Sequence, residues 1–219
     1  EQKLFSMTNI ADLRQEYTKA SLDLDTVAPS PFTQFRKWFD EAIKSEVLEP
    51  NAFVLSTVAE GGKPFQRTVL MKALDDTGVV FYTNYKSRKA QQIDANPQVS
   101  ILFPWYALER QVAITGRIEK VTKMESLAYF TSRPHGSQLG AWVSHQSQVI
   151  KSRSILEMKL QEMKAKFMEG KVPLPDFWGG YRIVPETFEF WQGRQSRLHD
   201  RIMYQKLEGE EWSTFRMAP

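Results

Sequence analysis

Residues 52–84 read AFVLSTVAEGGKPFQRTVLMKALDDTGVVFYTN. Three short apolar runs divided by two turn signals are the pattern of antiparallel hairpins. Ala52 to Ala59 is apolar and β-branched, and Glu60-Gly61-Gly62 forms a turn. Pro64 to Ala73 reads as a second strand, Asp75-Asp76-Thr77-Gly78 as a second turn, and Val79 to Thr83 as a third strand. The same pattern returns downstream in Gln98 to Trp105, Gln111 to Val121, Gly180 to Val184, Thr187 to Gln192, Arg201 to Lys206 and Trp212 to Met217, the last two joined by a Glu208-Gly209 turn.

Helical segments interrupt these strands. Ser30-Pro31 is a helix start, with a good N-cap and a proline at the first helical position. Phe32, Phe35, Phe39 and Ile43 follow at helical spacing and define a core-facing side. Ser87 to Asn96 is a short helix stopped by Pro97. Thr122-Lys123-Met124-Glu125 is a capping box for a helix ending near Arg133-Pro134, and a further short helix follows Ser137. Ser154-Ile155-Leu156-Glu157 reads as another capping box, opening a helix with Leu156, Leu160, Met163 and Phe167 on one face. Residues 1–29 form a polar arm with a short helix over Ile10 to Lys19, leaving 30–219 as a single domain. Strand and helix do not alternate as βαβαβ. The fold class is therefore α+β, a mostly antiparallel sheet or barrel with peripheral helices.

Composition narrows the function. The 219 residues are 42% hydrophobic and 25% charged, with net charge +3, so an ordered core is expected and a strongly basic nucleic-acid surface is not. With no cysteine, disulfides, thiolate metal sites and cysteine nucleophiles are excluded. Apolar runs such as Val79 to Tyr82 and Val99 to Phe103 fall far short of the ~20 residues of a membrane span. No signal-peptide pattern is visible, and a cytoplasmic setting is expected. The three histidines, His135, His145 and His199, lack metal-ligand spacing, so no metal is expected.

Neither a glycine-rich dinucleotide fingerprint nor a P-loop is present, so an anionic ligand must be held by side chains and helix ends. Ser87-Arg88-Lys89 puts two cations in the first turn of a helix, where the macrodipole disfavours them. Either they are solvated surface charges, or an anion sits at that helix end. Arg67 and Lys72 lie five apart, which on a regular strand places them on opposite faces. Unless a bulge, a strand end or a second ligand intervenes, one faces solvent. Tyr129, Arg133 and Ser137 can form an anion cradle between two helices, although Arg133 alone also suits a helix C-terminus. Trp191 to Arg201 packs Arg194, Arg197, His199 and Arg201 beside a tryptophan, dense for a surface turn. Arg197 and His199 share a face if that chain is extended. Gln111, Gln146 and Ser147 are neutral groups suited to a heteroaromatic edge.

Taken together these segments resemble the pyridoxine 5′-phosphate oxidase family. The matching stretches are RTVLMK (67–72), FYTNYKSRKA (81–90), ERQV (109–112), YFTSRPHGSQLG (129–140), SHQS (144–147), FWGGY (177–181) and EFWQGRQSRLHDR (189–201), with RMAP (216–219) where the family ends R-L-A-P. The resemblance implies an FMN-binding split β-barrel that forms a homodimer with FMN at the subunit interface. It implies FMN contacts at Arg67, Lys72, Tyr82, Thr83, Arg88, Lys89, Gln111, Gln146, Ser147, Trp191 and Arg201. Substrate phosphate falls to Lys72, Tyr129, Arg133 and Ser137, and Arg197 and His199 lie over the substrate ring as catalytic residues. Arg14 and Tyr17 belong to an N-terminal segment closing the site. The implied reaction is oxidation of pyridoxine or pyridoxamine 5′-phosphate by O2 to pyridoxal 5′-phosphate with release of H2O2. Another split-barrel flavin oxidoreductase shares the flavin contacts but has no use for Tyr129, Arg133, Ser137 and the Arg197/His199 pair. A non-catalytic FMN- or pyridoxal-phosphate-binding protein would bind without turnover.

Overall fold

The structure, a computed structural model, describes residues 13, 15–168, 170–209 and 211–219. Nine strands form one sheet. They are β1 (Ala52–Val58), β2 (Pro64–Leu70), β3 (Ala73–Asp75), β4 (Gly78–Asn84), β5 (Gln98–Trp105), β6 (Arg110–Lys120), β7 (Trp178–Gln192), β8 (Asp200–Lys206) and β9 (Trp212–Met217). The order is β2-β1-β5-β6-β7-β4-β3, with β8 also on β7 and β9 on β8. Every pairing is antiparallel, as the hairpin pattern of residues 52–84 predicts.

Strand β7 organises this sheet. One edge lies along β6, while the other is shared in sequence: residues 178–183 pair with β4 and residues 187–192 with β8. The sequence reading broke this segment into two strands at Pro185-Glu186. The structure keeps one 15-residue strand and absorbs the irregularity as a bulge, where Thr115 faces Thr187 but Gly116 faces Pro185. Proline has no N–H to give and is tolerated at such a site. The Pro64 to Ala73 run, conversely, is interrupted. Residues through Leu70 pair with β1, whereas the Lys72 N–H donates to the Val80 carbonyl of β4 at 2.8 Å.

Five α-helices pack outside: α1 (Pro31–Lys44), α2 (Arg88–Ala95), α3 (Lys123–Ser132), α4 (His135–Val143) and α5 (Ser154–Lys166). Helix α1 buries Phe32, Phe35, Trp38 and Ala42. Phe35 meets Phe103 edge-on at 4.9 Å and Trp38 meets Phe190 at 5.3 Å. Ile43, expected on this face, is 51% exposed because Ala42 takes its place toward the sheet. The capping box at Thr122 and Glu125 forms as read, and Ser87 caps α2. Ser154 does not cap α5. It is the first helical residue, and its hydroxyl bonds Ser152. Helix α4 starts at His135, ahead of Ser137. In α5 no side chain is fully buried, but Leu160, Met163 and Phe167 lean on a second apolar cluster around Phe130, Leu139 and Trp178.

The expected helix over Ile10 to Lys19 lies partly outside the described residues; the described part, 15–19, is not helical. Its backbone is held instead by one side chain, since the N–H groups of Thr18 and Lys19 both donate to the Glu109 carboxylate at 2.9 and 3.0 Å.

A methyl group at Gly116 would lie 2.1 Å from the Val184 carbonyl oxygen, a backbone atom that cannot swing aside. Gly116→Ala should therefore destabilise the fold by about 2 kcal/mol or more, read from urea unfolding. Gly136→Ala, where an added methyl meets nothing within 4 Å, should be neutral or slightly stabilising. A Gly116→Ala protein as stable as the parent would contradict the bulge assignment.

Candidate functional site

A cavity of about 1020 Å³ opens where β2, β4, α2, α3 and α4 meet. Five cations line it (Arg67, Lys72, Arg88, Lys89 and Arg133), and no Asp or Glu does so among the described residues. None of the five joins an ion pair among those residues. Like charges gathered without a counter-ion are costly, and an anion reverses the sign of that cost.

One end of the cavity is the N-terminus of α2. No acidic residue occupies its first turn. The Arg88 N–H donates to the Ser147 hydroxyl at 3.2 Å, and Ser147 holds a left-handed backbone (φ 72°), a conformation that costs a non-glycine residue energy and clusters at functional sites. Buried Lys89 reaches back into the cavity, donating to Thr83 Oγ1 at 3.1 Å and Gln146 Oε1 at 3.2 Å. Burial, reinforced by the Arg67 charge, pulls its pKa down to about 8. Arg67 is likewise lowered, first by burial and then by Arg88. Its guanidinium donates to Thr57 Oγ1 and to the buried Gln92 Oε1.

Arg67 and Lys72 both line this one cavity, Arg67 half-buried and Lys72 exposed to solvent at its open side, and a strand end, one of the exceptions named in the sequence reading, brings them together. The switch of partner strand between Leu70 and Lys72 ends the strict alternation that the expectation assumed.

At the other end stand Tyr129, Arg133 and Ser137. Arg133 Nη1 is buried with no hydrogen-bond partner, and burial lowers the pKa of the group. Trp178 forms the wall beneath. Its ring lies parallel to Tyr82 (5.6 Å, 11°), and the Arg133 guanidinium sits 4.7 Å over its face. Composition and spacing gave no reason to single out Trp178. The glycines beside it explain the FWGGY stretch: a methyl at Gly179 would lie 2.2 Å from the Tyr85 hydroxyl, and one at Gly180 2.7 Å from the Tyr82 ring. Only a strand without side chains there lets both rings close on β7.

The remaining expected residues gather elsewhere. Gln111 on β6 pairs with Trp191 on β7, which pairs with Arg201 on β8. Directly opposed residues share a sheet face, so three sequence-distant positions form one row. Arg201 is held by Glu189 at 2.9 and 3.1 Å. Beside the row, His199 lies 4.6 Å from the Trp191 ring and 5.7 Å from Tyr17. Its Nδ1 accepts the Arg194 backbone N–H at 3.0 Å. Burial and the Arg197 charge lower its pKa, favouring a neutral imidazole with Nε2–H free to donate. Arg197 is not on an extended chain as expected. It ends a tight turn in which Ser196 and Arg197 both have positive φ (54° and 61°). Even so it joins His199, its guanidinium lying 5.8 Å over the Tyr17 ring. Tyr17 itself fits only because Gly193 has no side chain, since a methyl there would lie 2.7 Å from its ring. Asp200, to which the sequence reading gave no site role, ties this corner together. It accepts from the Leu22 N–H at 3.0 Å and from Arg216 at 2.8 Å. Arg14 lies outside the described residues.

The two groups occupy opposite ends of β7. Trp178 and Trp191 are thirteen residues apart on it, about 40 Å along an extended strand. None of Tyr17, Gln111, Trp191, Arg197, His199 or Arg201 lines the cavity.

Comparison with known proteins bears on both groups. Residues 39–167 match the family model described as "Pyridoxamine 5'-phosphate oxidase", and residues 178–219 match "Pyridoxine 5'-phosphate oxidase C-terminal dimerisation region". A pyridoxine/pyridoxamine 5′-phosphate oxidase of Aliarcobacter butzleri is 56% identical over 211 residues, covering 96% of this chain and 100% of that protein. One from Escherichia fergusonii is 51% identical, covering 97% of each. A solved structure of PhzG from Burkholderia lata 383, in complex with tetrahydrophenazine-1-carboxylic acid, superposes with TM-score 0.84 at 28% identity, covering 91% of this chain and 100% of that one. An FMN-binding protein of Nostoc punctiforme PCC 73102, at TM-score 0.70 and 18% identity over 87% of this chain and 98% of that one, shares the fold. The architecture is thus the split barrel expected from the sequence, and the chain belongs to the pyridoxine/pyridoxamine 5′-phosphate oxidase family.

Proposed function

We propose that the chain oxidises pyridoxine or pyridoxamine 5′-phosphate to pyridoxal 5′-phosphate, using FMN and O2 and releasing H2O2. The observation that carries this reading is the cavity lined by five cations and no carboxylate. Its volume is at the upper end of the range for small-molecule sites and leaves room for more than one ligand. Two groups of anion donors line it: Arg88, Lys89 and Ser147 around the start of α2, and Tyr129, Arg133 and Ser137 from α3 and α4. Two phosphorylated heterocycles, cofactor and substrate, match that arrangement.

In this reading Arg67, Lys72, Tyr82, Thr83, Arg88, Lys89, Gln146 and Ser147 hold FMN, and Lys72, Tyr129, Arg133 and Ser137 hold the substrate phosphate. A homodimer supplies the rest. The C-terminal match to a dimerisation region covers the row of Trp191 and Arg201 and the Arg197/His199 turn, and a second copy can carry these onto a cavity that their own chain cannot reach. Gln111, Trp191 and Arg201 then complete the flavin site at the subunit interface. Tyr17 and Arg14, from the N-terminal segment, close over the substrate. Bound FMN supplies two-electron chemistry at the substrate C4′ carbon, with O2 as final acceptor. Arg197 orients the pyridine ring for reaction at C4′. Neutral His199 donates from Nε2 and fixes that arrangement. No helix among the described residues is long and apolar enough to cross a membrane; we assign a cytoplasmic enzyme acting on small molecules, without nucleic-acid partners.

The purified protein should be yellow, and pyridoxamine 5′-phosphate should bleach its flavin bands without oxygen. Arg197→Met should keep its flavin yet bleach about a hundredfold more slowly. Unchanged bleaching in that variant, or a parent that never bleaches, would overturn the reading.

Lys89 gives a pH signature. A bound phosphate favours its charged form, so its pKa in the complex lies above the value of about 8 in the free chain. FMN affinity is therefore full below pH 8 and falls by up to about tenfold per pH unit above it. Flavin fluorescence titrations between about pH 7.5 and 9.5, where the FMN phosphate itself no longer titrates, should show this slope in the parent and lose it in Lys89→Met. An identical slope in both would contradict the assignment.

A further inference from the structure

Among the described residues Arg133 has no carboxylate to lie against, yet it is half-buried and its buried Nη1 has no hydrogen-bond partner there. Its orientation is set by aromatic faces: Trp178 at 4.7 Å and Phe130 at 5.8 Å. Trp178 is itself locked. It is 8% exposed, meets Phe130 edge-on at 5.2 Å, and lies parallel to Tyr82 and to Tyr129 (6.2 Å, 9°). Tyr82 and Tyr129 stack on one another at 4.0 Å.

The choice of an indole rather than a carboxylate has a chemical consequence. A carboxylate would consume the in-plane N–H donors of the guanidinium and neutralise its charge. A ring face attracts the cation through its quadrupole without consuming any of its in-plane donors. We propose that Trp178 is a positioning residue that holds Arg133 flat and ready for the substrate phosphate, and that it thereby sets the affinity for phosphorylated substrate. The proposal rests on the reading that Arg133 grips that phosphate. Through its parallel contact with Tyr82, Trp178 also fixes the spacing between the phosphate grip and the neighbouring wall of the cavity.

The test uses the flavin-loaded full chain with pyridoxine 5′-phosphate. Trp178→Leu should raise KM about tenfold, with kcat held within about twofold, and Trp178→Phe, which keeps a smaller face, should raise it less. In an Arg133→Ala background, Trp178→Leu should add less than about a twofold further change in KM, because the group it acts through is gone. Competition by inorganic phosphate should weaken in parallel with KM. If Trp178→Leu fails to fold, Trp178→Phe in the two backgrounds carries the same comparison. Arg133→Ala with unchanged KM would remove the underlying phosphate assignment and the proposal with it. Arg133→Ala with raised KM but Trp178 variants at parental KM would overturn the Trp178 proposal alone. So would a loss confined to kcat, or effects that add fully in the Arg133→Ala background.

Discussion

Among the described residues, five cations share one cavity without a carboxylate in its lining, and much of the local architecture exists to tolerate that. Ordinary surfaces intersperse charges of both signs, and half-buried cations recruit acids. Here the neighbours are hydroxyls, amides and ring faces. Lys89 leans on Thr83 and Gln146, Arg67 on Thr57 and Gln92, and Arg133 on Trp178. These partners shield the charges without cancelling them. Lowered pKa values at Arg67, Lys89 and Arg133, each led by burial, record the cost. In our reading a bound phosphate removes it.

The long strand β7 is the second constraint. It carries β4 and the cavity at one end, and β8 with the Trp191–Arg201 row at the other. In any one chain the cavity lies at one end of this strand and the Arg197/His199 turn at the other, and neither Arg197 nor His199 lines the cavity. In our reading, assembly of two copies reunites them, so catalysis and dimerisation become a single property. Consecutive positive-φ residues at Ser196 and Arg197 fit a turn shaped for presenting a side chain rather than for economy of backbone energy.

Much of this was legible in the sequence because it was encoded locally. Strand Gln98–Trp105, the Thr122 capping box and the Ser87 cap depend on neighbouring residues and came out as read. The cations at Arg88 and Lys89, singled out because they break the helix-dipole rule, both line the cavity. What was not legible depended on partners far along the chain. The corner at Met71-Lys72 that unites Arg67 with Lys72 exists because β3 pairs with β4 and not β1. The continuity of β7 through Pro185 depends on Gly116 opposite. Residues 15–19 are not helical, and Glu109, some ninety residues away, takes the N–H groups of Thr18 and Lys19. Trp178 was quoted only as part of a motif, since a tryptophan at the start of a strand reads as core until an arginine is seen lying on it.

The central claim is that each working site combines the cavity of one chain with the Arg197 turn of the other. Co-expression of an Arg133→Ala chain and an Arg197→Met chain, separately tagged and assayed at substrate concentrations far below the KM of Arg133→Ala, where each alone turns over little, tests it directly. Mixed dimers should contain one fully native site and one carrying both defects, so the statistical mixture should recover about a quarter of parental activity. If both groups instead served a site within one chain, every site in every dimer would keep one defect, and the mixture would stay as inactive as its parents.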